Sequence, residues 1–191
     1  GKNAVNKVRR GEVSMTETMR VGLGEMPCIG LGLWKIAREH TADMVCSAIA
    51  EGYRHLDSAA DYGNEAEVGE GLRRAISSGL VDRDSLWVTS KLWNTYHRPE
   101  HVRAACERTL KDLGLSELDL YLIHFPIALK YVDFDVRYPP EWTADPSAET
   151  PEMLPDPVPL AETWAAMEEL VKAGLVKEIG VCNYNTGLLH D

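Results

Sequence analysis

One unit recurs from Pro27 onward: a short apolar run, a polar loop, an amphipathic helix and a closing glycine. In the helical segments, apolar residues fall three and four apart. The sets are Met44, Val45, Ala48 and Ile49; Val68, Leu72, Ala75 and Ile76; Val102, Cys106, Leu110 and Leu113; and Leu160, Trp164, Met167 and Val171. That spacing places each set on one helix face, which has to be buried against another element. Gly52, Gly79, Gly114 and Gly174 follow the segments as left-handed caps do. Asn64 with Glu67 reads as a variant capping box, and Pro99 suits a first helical turn. Between the helices lie short apolar runs at Cys28–Gly32, His55–Ser58, Leu86–Lys91, Leu118–His124 and Lys177–Cys182, as expected of strands covered on both faces.

Alternating strands and helices imply parallel pairing, which excludes an all-β fold and a helical bundle. Two folds repeat this way. The open doubly wound sheet carries a glycine-rich dinucleotide loop after its first strand, but here Gly30-Leu-Gly32 runs into bulky Leu-Trp-Lys and Gly22-Leu-Gly24 lacks a third glycine. The reading is therefore an α/β fold of the (β/α)8 TIM-barrel type, incomplete, with about five of eight βα units. Met19–Gly24 is expected to form a short hairpin arm, and residues 1–15 a flexible extension ahead of a domain over 16–191. The segment Pro126–Pro159, rich in proline and carrying Tyr131, Phe134, Tyr138 and Trp142, is too long for an ordinary βα connection. It either covers a site or packs on its own aromatics at the surface.

The 191 residues carry a formal charge of −10, spread along the chain, which argues against nucleic acid or an anionic membrane as partner. Cys28, Cys46, Cys106 and Cys182 are far apart, without metal-ligand or disulfide-framework spacing, so no metal is expected and a reducing cytoplasm is the natural compartment. No apolar run approaches the ~20 residues of a membrane span.

In a βα barrel the chemistry sits where the strands end. Those ends carry Trp34, then Asp57 and Tyr62, then Lys91 and Trp93, then His124 and Phe125, then Cys182 and Asn183. Each ionisable group has an ordinary explanation: a helix cap, an ion pair, a satisfied core histidine, a loop anchor. Asp57, Tyr62, Lys91 and His124 together on one rim point instead to function. A phenol is a poor acid at neutral pH, but an adjacent ammonium favours the phenolate, and a carboxylate behind the ammonium keeps it charged and placed. Such a tyrosine protonates the oxyanion developing on a carbonyl, while a neutral imidazole orients the same oxygen. The hydride has to come from a nicotinamide, since no side chain provides one. Trp34, Trp93 and Phe125 would wall an apolar pocket.

The stretches G-L-W-K (Gly32–Lys35), G-Y-R-H-L-D-S-A-A-D-Y-G-N-E, T-S-K-L-W-N, D-L-Y-L-I-H-F-P and I-G-V-C-N-Y resemble the aldo-keto reductase family, in register, from about Met19 to the last residue. The run from His124-Phe-Pro through Lys130–Pro140 to Trp142 is similar to the xylose (aldose) reductase branch, and mannose-6-phosphate reductases look similar too. The resemblance implies a catalytic tetrad of Asp57, Tyr62, Lys91 and His124, with Tyr62 as proton donor and Lys91 lowering its pKa. It implies NADPH, with NADH the alternative, contacting the backbone of Leu33 and Trp34 together with Asp57, Cys182 and Asn183. It implies a small aldehyde or aldose held by Trp34, Trp93, His124 and Phe125. Cys182 stands where the family usually has serine, and a thiol is a weaker hydrogen-bonding partner. Family members continue for three more βα units past the position of Leu188–Asp191, so the expectation is a C-terminally truncated barrel, about the first two-thirds of a member. The alternative of a different class is an inactive open barrel that acts as an interaction protein.

Overall fold

The computed structural model describes residues 17–190; the extension expected over residues 1–15 lies outside them. Thr18–Val21 (β1) and Gly24–Pro27 (β2) form an antiparallel hairpin, wider than the Met19–Gly24 arm expected. The βα units follow: β3 (Leu31–Gly32), α1 (Arg38–Ala50), β4 (His55–Asp57), α2 (Glu65–Ser77), β5 (Trp87–Leu92), α3 (Pro99–Leu113), β6 (Leu118–Ile123), α4 (Leu160–Lys172) and β7 (Val176–Val181). The strands make one parallel sheet in the order β3-β4-β5-β6-β7. Each new strand adds beside its predecessor without the order reversal of a doubly wound sheet, which is the arrangement of a barrel in progress.

The hairpin lies at the entry end of the strands. Leu23 donates its N–H to Glu178 Oε1 at 2.8 Å, and Gly24 packs on the indole of Trp87, the first residue of β5. Every residue of β5, the central strand, is buried. On the helical layer, α1, α2, α3 and α4 pack side by side. Gly71 permits α1 and α2 to approach closely: a Cβ there would sit 2.7 Å from Val45 Cβ and 2.8 Å from the Ala42 carbonyl.

The helices and their glycine caps fall where the periodicity puts them, with Gly52, Gly79, Gly114 and Gly174 all at positive φ and Pro99 opening α3. Beyond one-residue shifts at the ends of β4, β5, β6 and β7, four details differ. The first strand is only Leu31–Gly32, because Cys28 still donates to Glu17 O, prolonging the hairpin, and Gly30 lies against the His55 imidazole. Met44 and Val171 are exposed, their places on the buried faces of α1 and α4 taken by Thr41 and Leu170. Asn64 makes no capping hydrogen bond; its buried amide reaches back to the carbonyls of Leu33 and Ile36 at 3.0 and 3.2 Å, tying α2 to the loop after β3. Leu160 and Trp164 are only half-buried, since that side of α4 borders an apolar groove beside β7.

Candidate active site

Parallel register gathers the candidate residues at one end of the sheet. Gly32, Asp57 and Thr89 stand abreast, as do Lys91, Leu122 and Gly180, then Leu92, Ile123 and Val181. Asp57 closes β4, Lys91 is the penultimate residue of β5, and His124 and Cys182 directly follow β6 and β7. Side chains alternate along a strand, so Lys91, two residues past Thr89, faces the same side as Asp57. Tyr62 arrives on a 3₁₀ turn, Ala60–Tyr62, ended by Gly63 at φ 71°. Gly63 is also approached by Pro139, whose Cγ lies 3.1 Å from where a Cβ would be, so the long segment braces the turn that presents Tyr62.

Lys91 is 4 % exposed, and its ammonium is fully engaged: it donates to Asp57 Oδ1, to the Ser58 carbonyl at 2.8 Å and to the Tyr62 hydroxyl at 3.1 Å. Burial works against the charge on Lys91, but Asp57 and Tyr62 outweigh it and raise the lysine pKa above its ordinary value. For Tyr62 the balance goes the other way. Burial raises the phenol and the neighbouring ammonium lowers it, and burial prevails, so the net direction is upward. Lys91 thus acts on Tyr62 in the expected sense without bringing the phenol below its usual range.

His124 is 6 % exposed and stacks on Phe125, with centroids 4.5 Å apart; Trp93 and Tyr62 meet it edge-on at 5.5 and 6.0 Å. Its Nδ1 is turned inward, 3.1 Å from Asp61 Oδ1, and both atoms are buried with no other partner. The ring's other nitrogen is the one available to a ligand. The cleft in front of these groups has a volume of about 370 Å³, and its walls are Trp34, Trp93, Phe125 and Trp142, with Tyr62, His124, Asp61 and Glu141 as the polar lining. A concave, mainly aromatic site with a few convergent polar groups is what a small-molecule pocket requires.

The long segment divides between the two roles left open for it. Pro140, Glu141 and Trp142 line the cleft, with Trp142 edge-on to Trp93 and Phe125 at 4.8 and 4.9 Å and the Trp93 indole donating to Glu141 O at 3.2 Å. Phe134 and Tyr138 instead pack outside it: Tyr138 lies 3.9 Å from the Arg108 guanidinium, and Phe134 rests on Tyr96. Backbone bonds from Leu129 to Asn94 O and from Lys130 to Leu154 O, and the two-pronged Arg98–Asp156 pair at 2.6 Å, hold the segment's ends.

The sequence profile of the Aldo/keto reductase family matches residues 20–191, nine-tenths of the chain. The chain belongs to the aldo/keto reductase family. It is 51 % identical over 175 residues to an NAD(P)H-dependent D-xylose reductase of Pyricularia oryzae, covering 91 % of this chain and 53 % of that protein. To an NADPH-dependent aldose reductase of Saccharomyces cerevisiae it is 49 % identical over 180 residues, covering 94 % and 55 %. Among solved structures, an aldose reductase from Schistosoma japonicum superposes with a TM-score of 0.79 at 45 % identity, covering 87 % of this chain and 52 % of that one. The chain spans about half the length of the curated relatives it matches, less than the two-thirds expected. The five-stranded sheet is accordingly an incomplete (β/α)8 barrel.

In this aldo/keto reductase chain the residues read as cofactor contacts are differently disposed. Trp34 is 62 % exposed, with Lys35 Nζ 4.4 Å above its ring. Leu33 is fully buried, its N–H given to Asp57 O and its carbonyl taken by Asn64, so its amide is already committed. Asn183 adopts a left-handed φ of 62° and donates its amide to His124 O at 2.9 Å and to Cys182 Sγ at 3.3 Å. These bonds leave the Asn183 oxygen free at the rim, which fits a carboxamide's N–H donors. Among the described residues no cluster of three His, Cys, Asp or Glu is placed to hold a metal ion, and no helix is long and apolar enough to cross a membrane.

Sequence reasoning passed over Asp61, Glu141, Trp142 as a wall of the cleft, and Ser58. Asp61 precedes Tyr62 on the same turn and was legible as a second carboxylate beside the phenol. Ser58 contributes through its carbonyl, for which side-chain type carries no signal.

Proposed function

We propose that the protein to which this chain belongs reduces the aldehyde form of aldoses, or related small carbonyls, to alcohols with NADPH, NADH being the alternative. The observation that carries this reading is the Tyr62 hydroxyl 3.1 Å from the Lys91 ammonium at the mouth of an aromatic cleft. A bound nicotinamide would supply the hydride. Asn183 and Asp57 at the rim are the side chains suited to hold it. A carbonyl in the cleft accepts the Tyr62 proton as its oxygen becomes anionic, and Lys91 stabilises the phenolate left behind. Tyr62, raised by burial, is protonated through neutral pH, the form a proton donor needs. The available nitrogen of His124 orients the oxygen, and Trp93, Phe125 and Trp142 exclude water around the aldehyde. The curated relatives' NAD(P)H-dependence and xylose or aldose reduction support the choice of cofactor and substrate. Four free cysteines suit a reducing cytoplasm.

The test is NADPH oxidation with xylose or a simple aldehyde. Tyr62→Phe should abolish it, and a Tyr62→Phe protein that keeps its rate would show the proton comes from elsewhere.

A second reading has its own observation. Among the described residues β7 pairs only with β6, and an apolar groove of about 380 Å³ runs beside it, lined by Ile123, Leu160, Trp164, Val181, Tyr184 and Leu188. On that reading the 191-residue chain is an interaction protein without catalysis. NADPH titration separates the two: absence of saturable binding at roughly tens of micromolar favours the second.

A further inference from the structure

Behind the tetrad lies a carboxyl that the proposed chemistry does not use. Glu65 opens α2 and is 3 % exposed. Its Oε1 accepts the Ser58 hydroxyl at 3.2 Å and the Ser90 hydroxyl at 2.6 Å, and its Oε2 accepts Thr109 Oγ1 at 3.0 Å. All three donors are fully buried. One carboxyl therefore joins the exits of β4 and β5 and the middle of α3. The two serines are the chain neighbours of Asp57 and Lys91, and the Ser58 carbonyl is itself an acceptor of the Lys91 ammonium. Burying a carboxyl without a cationic partner is costly, so a core built only for stability has cheaper ways to join these elements.

We propose that Glu65 is a positioning residue for the proton donor, acting through Ser58 and Ser90 to hold the Lys91 ammonium against Asp57 and Tyr62. The inference rests on the reading of Tyr62 as the donor. The ammonium has three acceptors on three chain positions, and only Asp57 and Tyr62 are held from the cleft side. Ser58 O is the anchor on the core side, and the peptide that carries it is pinned by Glu65. Without the pin, Ser58 and the strand end at Ser90 gain freedom, the ammonium moves off the phenol, and the pull that lowers the Tyr62 pKa weakens. The titratable groups facing Glu65 from the surrounding elements are Asp112 and Cys106 of α3, Tyr121 of β6 and Tyr138 of the long segment.

The experiment follows Tyr62 by NMR in the chain carrying ¹³Cζ-labelled tyrosine, titrated without cofactor or substrate. Glu65→Ala should move the Tyr62 titration upward by about half a unit or more. Glu65→Gln, whose amide oxygen accepts both serines and whose NH₂ can donate to Thr109, should leave it where it is in the native chain. Should Glu65→Ala not fold, the Ser58→Ala/Ser90→Ala pair removes the two strand-end bonds and should give the same upward shift. If Glu65→Ala or the serine pair lowers the unfolding midpoint but leaves the Tyr62 titration unmoved, Glu65 is a structural brace only and the inference fails. No turnover is read, so a chain without activity leaves this result untouched, while a Tyr62→Phe protein that keeps its rate would refute the proposed donor and not the Glu65 coupling.

Discussion

Glu65→Gln has a consequence for stability that can be worked from the structure. Burial pushes the Glu65 carboxyl up from 4.5 to about 7, against the opposing hydrogen bonds of Ser90, Thr109 and Ser58. The folded chain therefore keeps its proton to higher pH than the unfolded chain does. As pH rises from about 4.5 to about 7, the unfolded state ionises first and stability falls; above about 7 both states are ionised and the loss is complete. At ~1.4 kcal/mol per unit, a displacement of this size costs about 3 kcal/mol, a sizeable share of the ~5–15 kcal/mol that holds a domain together. Glutamine has the same shape and no charge to ionise, so this component of the pH dependence should vanish. Urea unfolding at roughly pH 5 and pH 8, at fixed ionic strength, measures it. The native chain should lose about 2.5 kcal/mol more than Glu65→Gln between the two conditions, since part of the loss already lies below pH 5. Equal losses would mean that the three hydroxyls fully offset the burial and that the carboxyl ionises as if in water.

Lys91→Met should remove the charge that favours the phenolate and lower kcat about a hundredfold or more, read by NADPH oxidation, with KM less affected. Asp119 is 3 % exposed and accepts from Arg83 at 2.8 Å, from the Val88 N–H at 2.9 Å and from Lys177 at 2.9 Å, so Asp119→Ala should cost about 3 kcal/mol in urea unfolding. Gly71→Ala would put a methyl against Val45 and the Ala42 carbonyl and should cost ~1–3 kcal/mol, read as a lower unfolding midpoint. Trp142→Ala should open the cleft and raise KM for an aldehyde roughly tenfold while leaving kcat nearly unchanged.

Helix positions were legible because a helix buries a stripe at fixed spacing, so Val68, Leu72 and Ala75 announce both the element and its inward face. Strand exits were legible for a related reason: parallel strands entering in sequence leave at one end, and Asp57, Lys91 and His124 each sit at such an exit. The first strand was read too long because Cys28–Gly30 is apolar whether it pairs with a hairpin or with a sheet. Asn64 looked like a cap because residue type and spacing allowed it. The carbonyls of Leu33 and Ile36, which won the amide, come from a loop 31 and 28 residues earlier. Asp61 was legible beside Tyr62, but Glu65 was not, because nothing in local spacing marks which of several carboxylates turns inward.

Local periodicity and chain order suffice for the alternation of elements, the parallel sheet, and four ionisable side chains on one rim. How those groups are charged and held follows only from the packing around them. The Tyr62 phenol lies in a balance between burial, which raises it, and Lys91, which lowers it, and that balance depends on distances and solvent exclusion. Those are set by residues far apart in the chain: Trp142 over the cleft, Pro139 against Gly63, and Glu65 between two strand ends and a helix. Sequence order places a side chain at a strand's end; the dielectric around it is a property of everything packed against it.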